Sequence, residues 1–77
     1  MDVRDELRPG DIVIRRDPGG PLNHYSLREF PGLPQVSYTS FAVALDVAMR
    51  YARTSGTDVL YEQNGRYDVI KSSGMKV

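Results

Sequence analysis

Apolar and polar positions alternate along two stretches in the first half of the chain. In "DIVIRR", residues 11–16, Ile12 and Ile14 fall on one side of an extended chain, and the run is rich in the β-branched residues that favour strands. "NHYSLREF", residues 23–30, alternates in the same way. The pattern predicts two half-buried strands.

The connection between these runs is "DPGGP", residues 17–21, led by Arg15 and Arg16. Its proline and glycine residues favour turn dihedrals, so a hairpin loop is predicted. A phosphate-binding loop would need a glycine-rich turn that opens onto a helix, whereas here a strand follows and Pro21 has no N–H to donate. The hairpin is therefore the favoured interpretation.

A helix is predicted at residues 40–56, after a proline-containing stretch at 31–40 that is typical of a loop or a poor edge strand. Thr39 or Ser40 is available as N-cap, and Gly56 is a C-terminal stop. An i,i+4 ion pair between Asp46 and Arg50 is also expected.

The predicted helix carries two apolar rows. One faces the core, with Met49 and Tyr51 on its flanks, and comprises Phe41, Ala44, Leu45, Ala48 and Ala52. The second row, Val43, Val47 and Tyr51, lies toward the polar side at spacing i, i+4, i+8. It indicates a partner surface, unless these residues are scattered surface positions or pack under the loop "EFPGLPQVSY", residues 29–38.

A second hairpin is predicted at residues 58–71 around Asn64-Gly65, which favours a type I′ turn. Pairing across this turn gives two apolar faces, one with Val59, Tyr61 and Ile70 and the other with Leu60, Tyr67 and Val69. The two faces compete for the place under the helix, and the pattern leaves the choice open.

These elements predict an α+β fold: a small ββαββ domain whose antiparallel or mixed sheet carries one helix on one face. One domain is expected for residues 1–77, with an ordered core at about 9–72 and a flexible tail at 73–77. Because one helix covers one face, the other face is expected to be unusually apolar for a free surface.

The spacing of residues in the predicted helix and the residues of the second turn also resemble those of a known family. The spacing of Ala44-Leu45, Ala48 and Ala52, then Gly56, a strand at 58–63 and the turn at Asn64-Gly65 resemble a family of small bacterial domains of unknown function that pair a sheet with one alanine-rich helix. The likeness covers about residues 23–71. It implies this fold and assigns no catalytic residue.

The amino-acid composition limits the kinds of catalytic and metal-binding site that the chain can form. The chain has no cysteine, and its ten basic and ten acidic side chains cancel. Its only histidine, His24, has no Ser, Asp or Glu at a triad or metal-ligand spacing, and Asp58, Glu62 and Asp68 do not follow a calcium-loop pattern. No catalytic residue, metal or cofactor is predicted. With no apolar run of membrane length, a cytoplasmic location away from membranes is expected.

Two functions remain as hypotheses. The first is a non-enzymatic interaction or assembly module that forms a homodimer, or binds another protein, through Val43, Val47 and Tyr51. The alternative is a weak nucleic-acid-binding module, in which strand arginines hold phosphates and a tyrosine stacks on a base. Its expected contacts are Arg15, Arg16, Arg28, Arg66 and Tyr67.

Overall fold

The computed structural model describes residues 3–17, 24–34 and 36–71, which form a six-stranded mixed sheet and one helix. The helix α1 is Phe41–Ser55, and the strands are β1 (Val3–Arg4), β2 (Ile12–Asp17), β3 (His24–Glu29), β4 (Val36–Tyr38), β5 (Val59–Gln63) and β6 (Arg66–Lys71). The α+β class with one helix is confirmed. The ββαββ order is wrong, because β1 and β4 add one strand to each edge.

The strands lie in the order β1-β6-β5-β2-β3-β4, and the central pair, β2 and β5, is parallel. The other neighbours are antiparallel. A parallel pair requires the chain to return to its starting end, and α1 makes this return over one face of the sheet. Within the described residues no helix has the length and apolarity to cross a bilayer.

The first predicted hairpin is present as the antiparallel pair β2–β3, in register from Ile12 opposite Glu29 to Asp17 opposite His24. Most of its predicted turn, 18–21, lies outside the described residues, as does the tail predicted at 73–77. The sheet begins at Val3, earlier than the ordered core expected from residue 9.

Local chemistry sets both ends of α1. At the start, the Val43 N–H donates to Ser40 Oγ at 3.4 Å, so Ser40 is the N-cap. At the end, Gly56 has φ 70° and its N–H donates to the Ala52 carbonyl at 2.7 Å. The expected ion pair between Arg50 and Asp46 is present at 2.8 Å.

Alanine side chains bring α1 close to the centre of the sheet. Ala44, Ala48 and Ala52 are all fully buried. They pack against large residues of the central strands, namely Ile12, Ile14, Leu27 and Val59. At the N-terminal end of the helix, the Phe41 ring makes edge contacts with Tyr25 and Tyr61 at centroid distances of 5.6 and 5.4 Å. The core stripe predicted for the helix is thereby confirmed.

The 58–71 hairpin has the predicted turn, with Asn64 at φ 52° and Gly65 at φ 77°. Its register places Val59 under the helix and Leu60 on the opposite face. A bulge between these two positions makes Ile70 the extra residue of β6, and Ile70 is exposed. The simple pairing predicted that Ile70 shares a face with Val59. That prediction is wrong, because Ile70 lies in the bulge and is exposed whereas Val59 is buried.

The face of the sheet away from α1 is covered more fully than expected. Val13 and Leu60 are neighbours on that face and are 1% and 0% exposed. Arg28 lies opposite Val13, and Val69 lies opposite Leu60. Charged side chains of this face form ion pairs: Arg4 with Asp11 and Asp58, and Arg28 with Glu62. The long stems of arginine side chains cover apolar neighbours while their charged ends remain near water. The chain itself therefore buries the apolar centre of this face.

Enlarging Ala48 should destabilise the protein, because its fully buried side chain leaves no room for extra methyl groups. We expect Ala48→Leu to lower the free energy of unfolding by about 1–3 kcal/mol, measured by urea denaturation. The control is Ala42→Leu, at an exposed position of the same helix, with an expected change within about 0.5 kcal/mol. Equal effects of the two variants would contradict the close packing of α1.

Candidate interaction surface

An apolar strip runs along the side of α1 that faces the outer strand β4. It combines the predicted helix row with two residues that precede or begin β4, and its members are Leu33, Val36, Val43, Val47 and Tyr51. Four of them are among the exposed large hydrophobic residues: Leu33 at 78%, Tyr51 at 56%, Val43 at 48% and Val36 at 43%. Isolated exposed apolar residues are common and need no explanation, whereas several close together make this part of the surface the candidate.

Secondary structure explains why these residues meet. Val36 lies opposite Leu27, on the sheet face that carries α1. Tyr51 lines an open cavity of about 310 Å³ whose lining also includes Leu33 and Val36. A second, shallower depression of about 280 Å³ is lined by Val47, Arg50, Tyr51 and Thr54. Since Tyr51 borders both, the two depressions are neighbours on one surface.

The three residues predicted as an interface have different environments. Val43 and Tyr51 are exposed, while Val47 is partly buried and packs against the core. The 29–38 loop approaches the row at Tyr51, through Leu33 and Val36, and leaves Val43 exposed. The row is thus neither fully covered by this stretch nor scattered.

Leu33 and Val36 were not anticipated as part of the surface. Both lie in a segment that the prolines marked as a loop or edge strand, and only the sheet register brings them beside the helix. The signal available in the sequence was a pair of large apolar residues in an otherwise turn-like segment.

The five residues expected to contact nucleic acid lie on both faces of the sheet. By the strand registers, Arg15, Arg28 and Tyr67 are on the face away from α1. Arg16 and Arg66 are on the face that carries the helix. The structure therefore does not assemble them into one contact surface.

Carboxylates accompany most of these arginines. Arg15 lies 3.6 Å from Asp17, Arg28 lies 3.9 Å from Glu62, and the distance from Arg66 to Asp68 is 3.9 Å. Arg28 also lies over the Phe30 ring, 5.7 Å from its centroid. Neighbouring opposite charges reduce the positive potential that would attract a phosphate backbone.

The acidic residues considered as metal ligands have arginine partners. Asp58 binds Arg4 at 3.3 Å, and the partners of Glu62 and Asp68 are those given above. Among residues 3–17, 24–34 and 36–71 there is no group of three or more His, Cys, Asp or Glu side chains placed to hold a metal ion. His24 is partly exposed at the start of β3, opposite Asp17.

Comparisons with known proteins assign no family or function to this chain. No protein-family model, no curated protein and no solved structure matches the chain. The resemblance of residues 23–71 to small bacterial domains of unknown function therefore stays a prediction.

The strand arginines are divided between the two faces of the sheet, and most of them are paired with carboxylates. We therefore expect no saturable binding of a labelled single-stranded oligonucleotide at low salt, as measured by fluorescence anisotropy. The alternative function predicts that binding is seen and that Arg15→Ala with Arg16→Ala weakens it. The double variant would then reduce the slope of log affinity against log salt by about 1.4, for two lost phosphate contacts. That result would favour the nucleic-acid-binding module.

Proposed function

We propose that this protein is a small, non-enzymatic assembly module that forms a homodimer through the apolar strip. The observation that carries the proposal is that exposed Leu33, Val36 and Tyr51 line one cavity. Exposed Val43 lies eight residues before Tyr51 on the same row of α1. Burying such a group against a second copy removes its apolar surface from water, which is the main driving force for association.

The helix row has the geometry for two-fold packing. Val43 and Tyr51 each lie four residues from Val47, so two antiparallel copies of α1 centred on Val47 place Val43 of one chain opposite Tyr51 of the other. Residues at i, i+4 and i+8 form one continuous ridge of a helix, and such ridges pack into the grooves of a second helix. A two-fold dimer uses the same residues twice, so one row suffices.

Charged residues beside the row are also compatible with self-association. Asp46 and Arg50 are paired at 2.8 Å and are exposed by 61% and 72%, and Arg50 borders the depression next to Val47 and Tyr51. Because each of these two side chains already has an oppositely charged partner in its own helix, both can stay at the rim of an antiparallel helix pair without the burial of an unpaired charge.

The required area indicates how much of the molecule takes part. A stable dimer buries about 800 Å² on each partner, roughly 15% of the 5231 Å² surface of this chain. Five side chains of the strip supply only part of that area. The proposed interface therefore extends from α1 across the cavity to β4, whose outer edge has no neighbouring strand in the described sheet.

Val43→Asp tests the proposal better than a change at Val47, because Val47 also packs against the core. We expect the apparent mass of the parent protein to rise from monomer to dimer with concentration in sedimentation equilibrium. A charge at position 43 should keep the protein monomeric, because association would desolvate the carboxylate against the Tyr51 ring of the second copy.

The matched control is Ala42→Asp, which adds the same side chain one residue away on the solvent side of α1. It should dimerise like the parent, and both variants should keep the parent's circular dichroism. A parent that is monomeric over the whole range, or a Val43→Asp variant that dimerises like the parent, would contradict the proposal. A monomeric parent would leave a different protein as the candidate partner of the strip.

A further inference from the structure

The tip of the second hairpin carries an asparagine that is followed directly by a glycine. Asn64 and Gly65 are the two central residues of the turn between β5 and β6, and both are exposed. Glycine has no side chain that would hinder the approach of its backbone nitrogen to the side chain before it. Asparagine is itself one of the thermolabile residues. The turn therefore presents a reactive pair at the surface.

The chemistry open to this pair is a substitution at the side-chain amide. The Gly65 backbone nitrogen attacks Asn64 Cγ, the new N–C bond closes a five-membered succinimide ring, and the bond from Cγ to the amide nitrogen breaks. Ammonia leaves with the proton that the Gly65 nitrogen has lost. Water then opens the ring, and cleavage at Cγ gives aspartate, whereas cleavage at the main-chain carbonyl gives isoaspartate. Water is the only co-reactant, and nothing is oxidised or reduced.

The closed turn prevents this attack. Asn64 has φ 52° and Gly65 has φ 77°, the left-handed pair of a type I′ turn. Such a turn keeps ψ of its first central residue at about 30°. At that angle Cβ of Asn64 and the Gly65 nitrogen lie on opposite sides of the Cα–C bond, whereas ring closure needs them on the same side. Cγ and the nitrogen can therefore meet only after the turn has opened.

The surroundings of the turn allow it to open locally. Gln63 and Arg66, the pair that closes it, are both exposed. The nearest buried residue of β5 is Leu60, three positions before Gln63. Exposed segments with few buried apolar contacts open at a much lower free energy than the core. The tip of the hairpin can thus open while the core remains folded.

We propose that Asn64 is a site of spontaneous deamidation that is gated by the opening of its own turn. The two products differ in their effect on the hairpin. Aspartate keeps a normal backbone, and Asp-Gly favours the same type I′ turn. Isoaspartate adds one carbon to the backbone, so a two-residue loop no longer has the type I′ geometry. An opening that is reversible before the reaction is permanent after isoaspartate has formed.

This modification does not rest on the proposed dimer, because the turn and the apolar strip share no residue. Its test incubates the full-length chain in neutral buffer, with and without a denaturing concentration of urea. Peptide mapping by mass spectrometry then identifies the modified residue and its isoaspartate content. We expect deamidation of Asn64 in the folded chain, and a rate roughly tenfold higher in urea, because only the open turn reacts.

Two results of this incubation would overturn the proposal. Equal rates with and without urea would mean that the turn does not gate the reaction. No detectable product in the folded chain, by the time that the unfolded chain is fully converted, would remove Asn64 as a modification site of the native protein.

A disulfide across the closing pair tests the gating in the folded protein. The chain has no cysteine of its own, and antiparallel partners such as Gln63 and Arg66 have Cα atoms about 4.5–5.5 Å apart, within the range that a disulfide spans. In the variant Gln63→Cys with Arg66→Cys, the oxidised form should deamidate several-fold more slowly than the reduced form, which is its matched control. Equal rates in the two forms would mean that the ring closes within the closed turn, which would overturn the gating.

The variant Asn64→Asp separates the effects of the two products. It should unfold at the same urea concentration as the parent, whereas the purified isoaspartate product should unfold at a lower concentration, because only the isoaspartate chain has lost the turn. An isoaspartate product as stable as Asn64→Asp would overturn the permanent opening.

Discussion

The close approach of α1 to the sheet is the contact on which the other features depend. Ala44, Ala48 and Ala52 let the helix lie directly on the large aliphatic residues of β2 and β5. Tight packing of this kind leaves no space for larger residues on the same line of the helix. The larger apolar residues Val43 and Tyr51 consequently lie beside the contact, where they form the strip with β4. The packing of α1 on the sheet therefore determines both the core and the position of the candidate interface.

The width of the sheet explains why surface remains uncovered. A helix about 10 Å across spans roughly two strand spacings of about 4.8 Å, and this sheet has six strands. α1 can therefore cover the central strands on one face and little more. The apolar positions of β4 lie at the edge of the covered area. The opposite face has no helix in the described part of the chain.

On the face of the sheet that has no helix, charged side chains lie around the apolar residues. Val13 and Leu60 are buried on the face away from α1, surrounded by the ion pairs of Arg28 with Glu62 and of Arg4 with two aspartates. The side chains of Arg4 and Arg28 are only 16% and 23% exposed, and their carboxylate partners balance the charge. The same arrangement holds β1 on the sheet through Arg4. It also divides the strand arginines among separate acidic partners, instead of collecting them in one basic surface.

Features that depend on neighbouring residues were determined by the sequence itself. Ser40, Gly56 and the alanine spacing are sufficient to predict α1, and Asn64-Gly65 is sufficient to predict the second hairpin, because caps and tight turns arise from local dihedral preferences. The helix row was visible for the same reason. Its exposure at Val43 and Tyr51 followed from the helical period alone.

Tertiary structure decided whatever depends on residues far apart in the chain. The parallel pairing of β2 with β5, the places of β1 and β4 at the edges, and the contact of Arg4 with Asp58 all join distant segments. Short strands such as Val3–Arg4 carry almost no periodic signal of their own. The choice between Val59 and Leu60 for the place under the helix was likewise open in the sequence, because both residues are apolar and only the register with β2 assigns their faces.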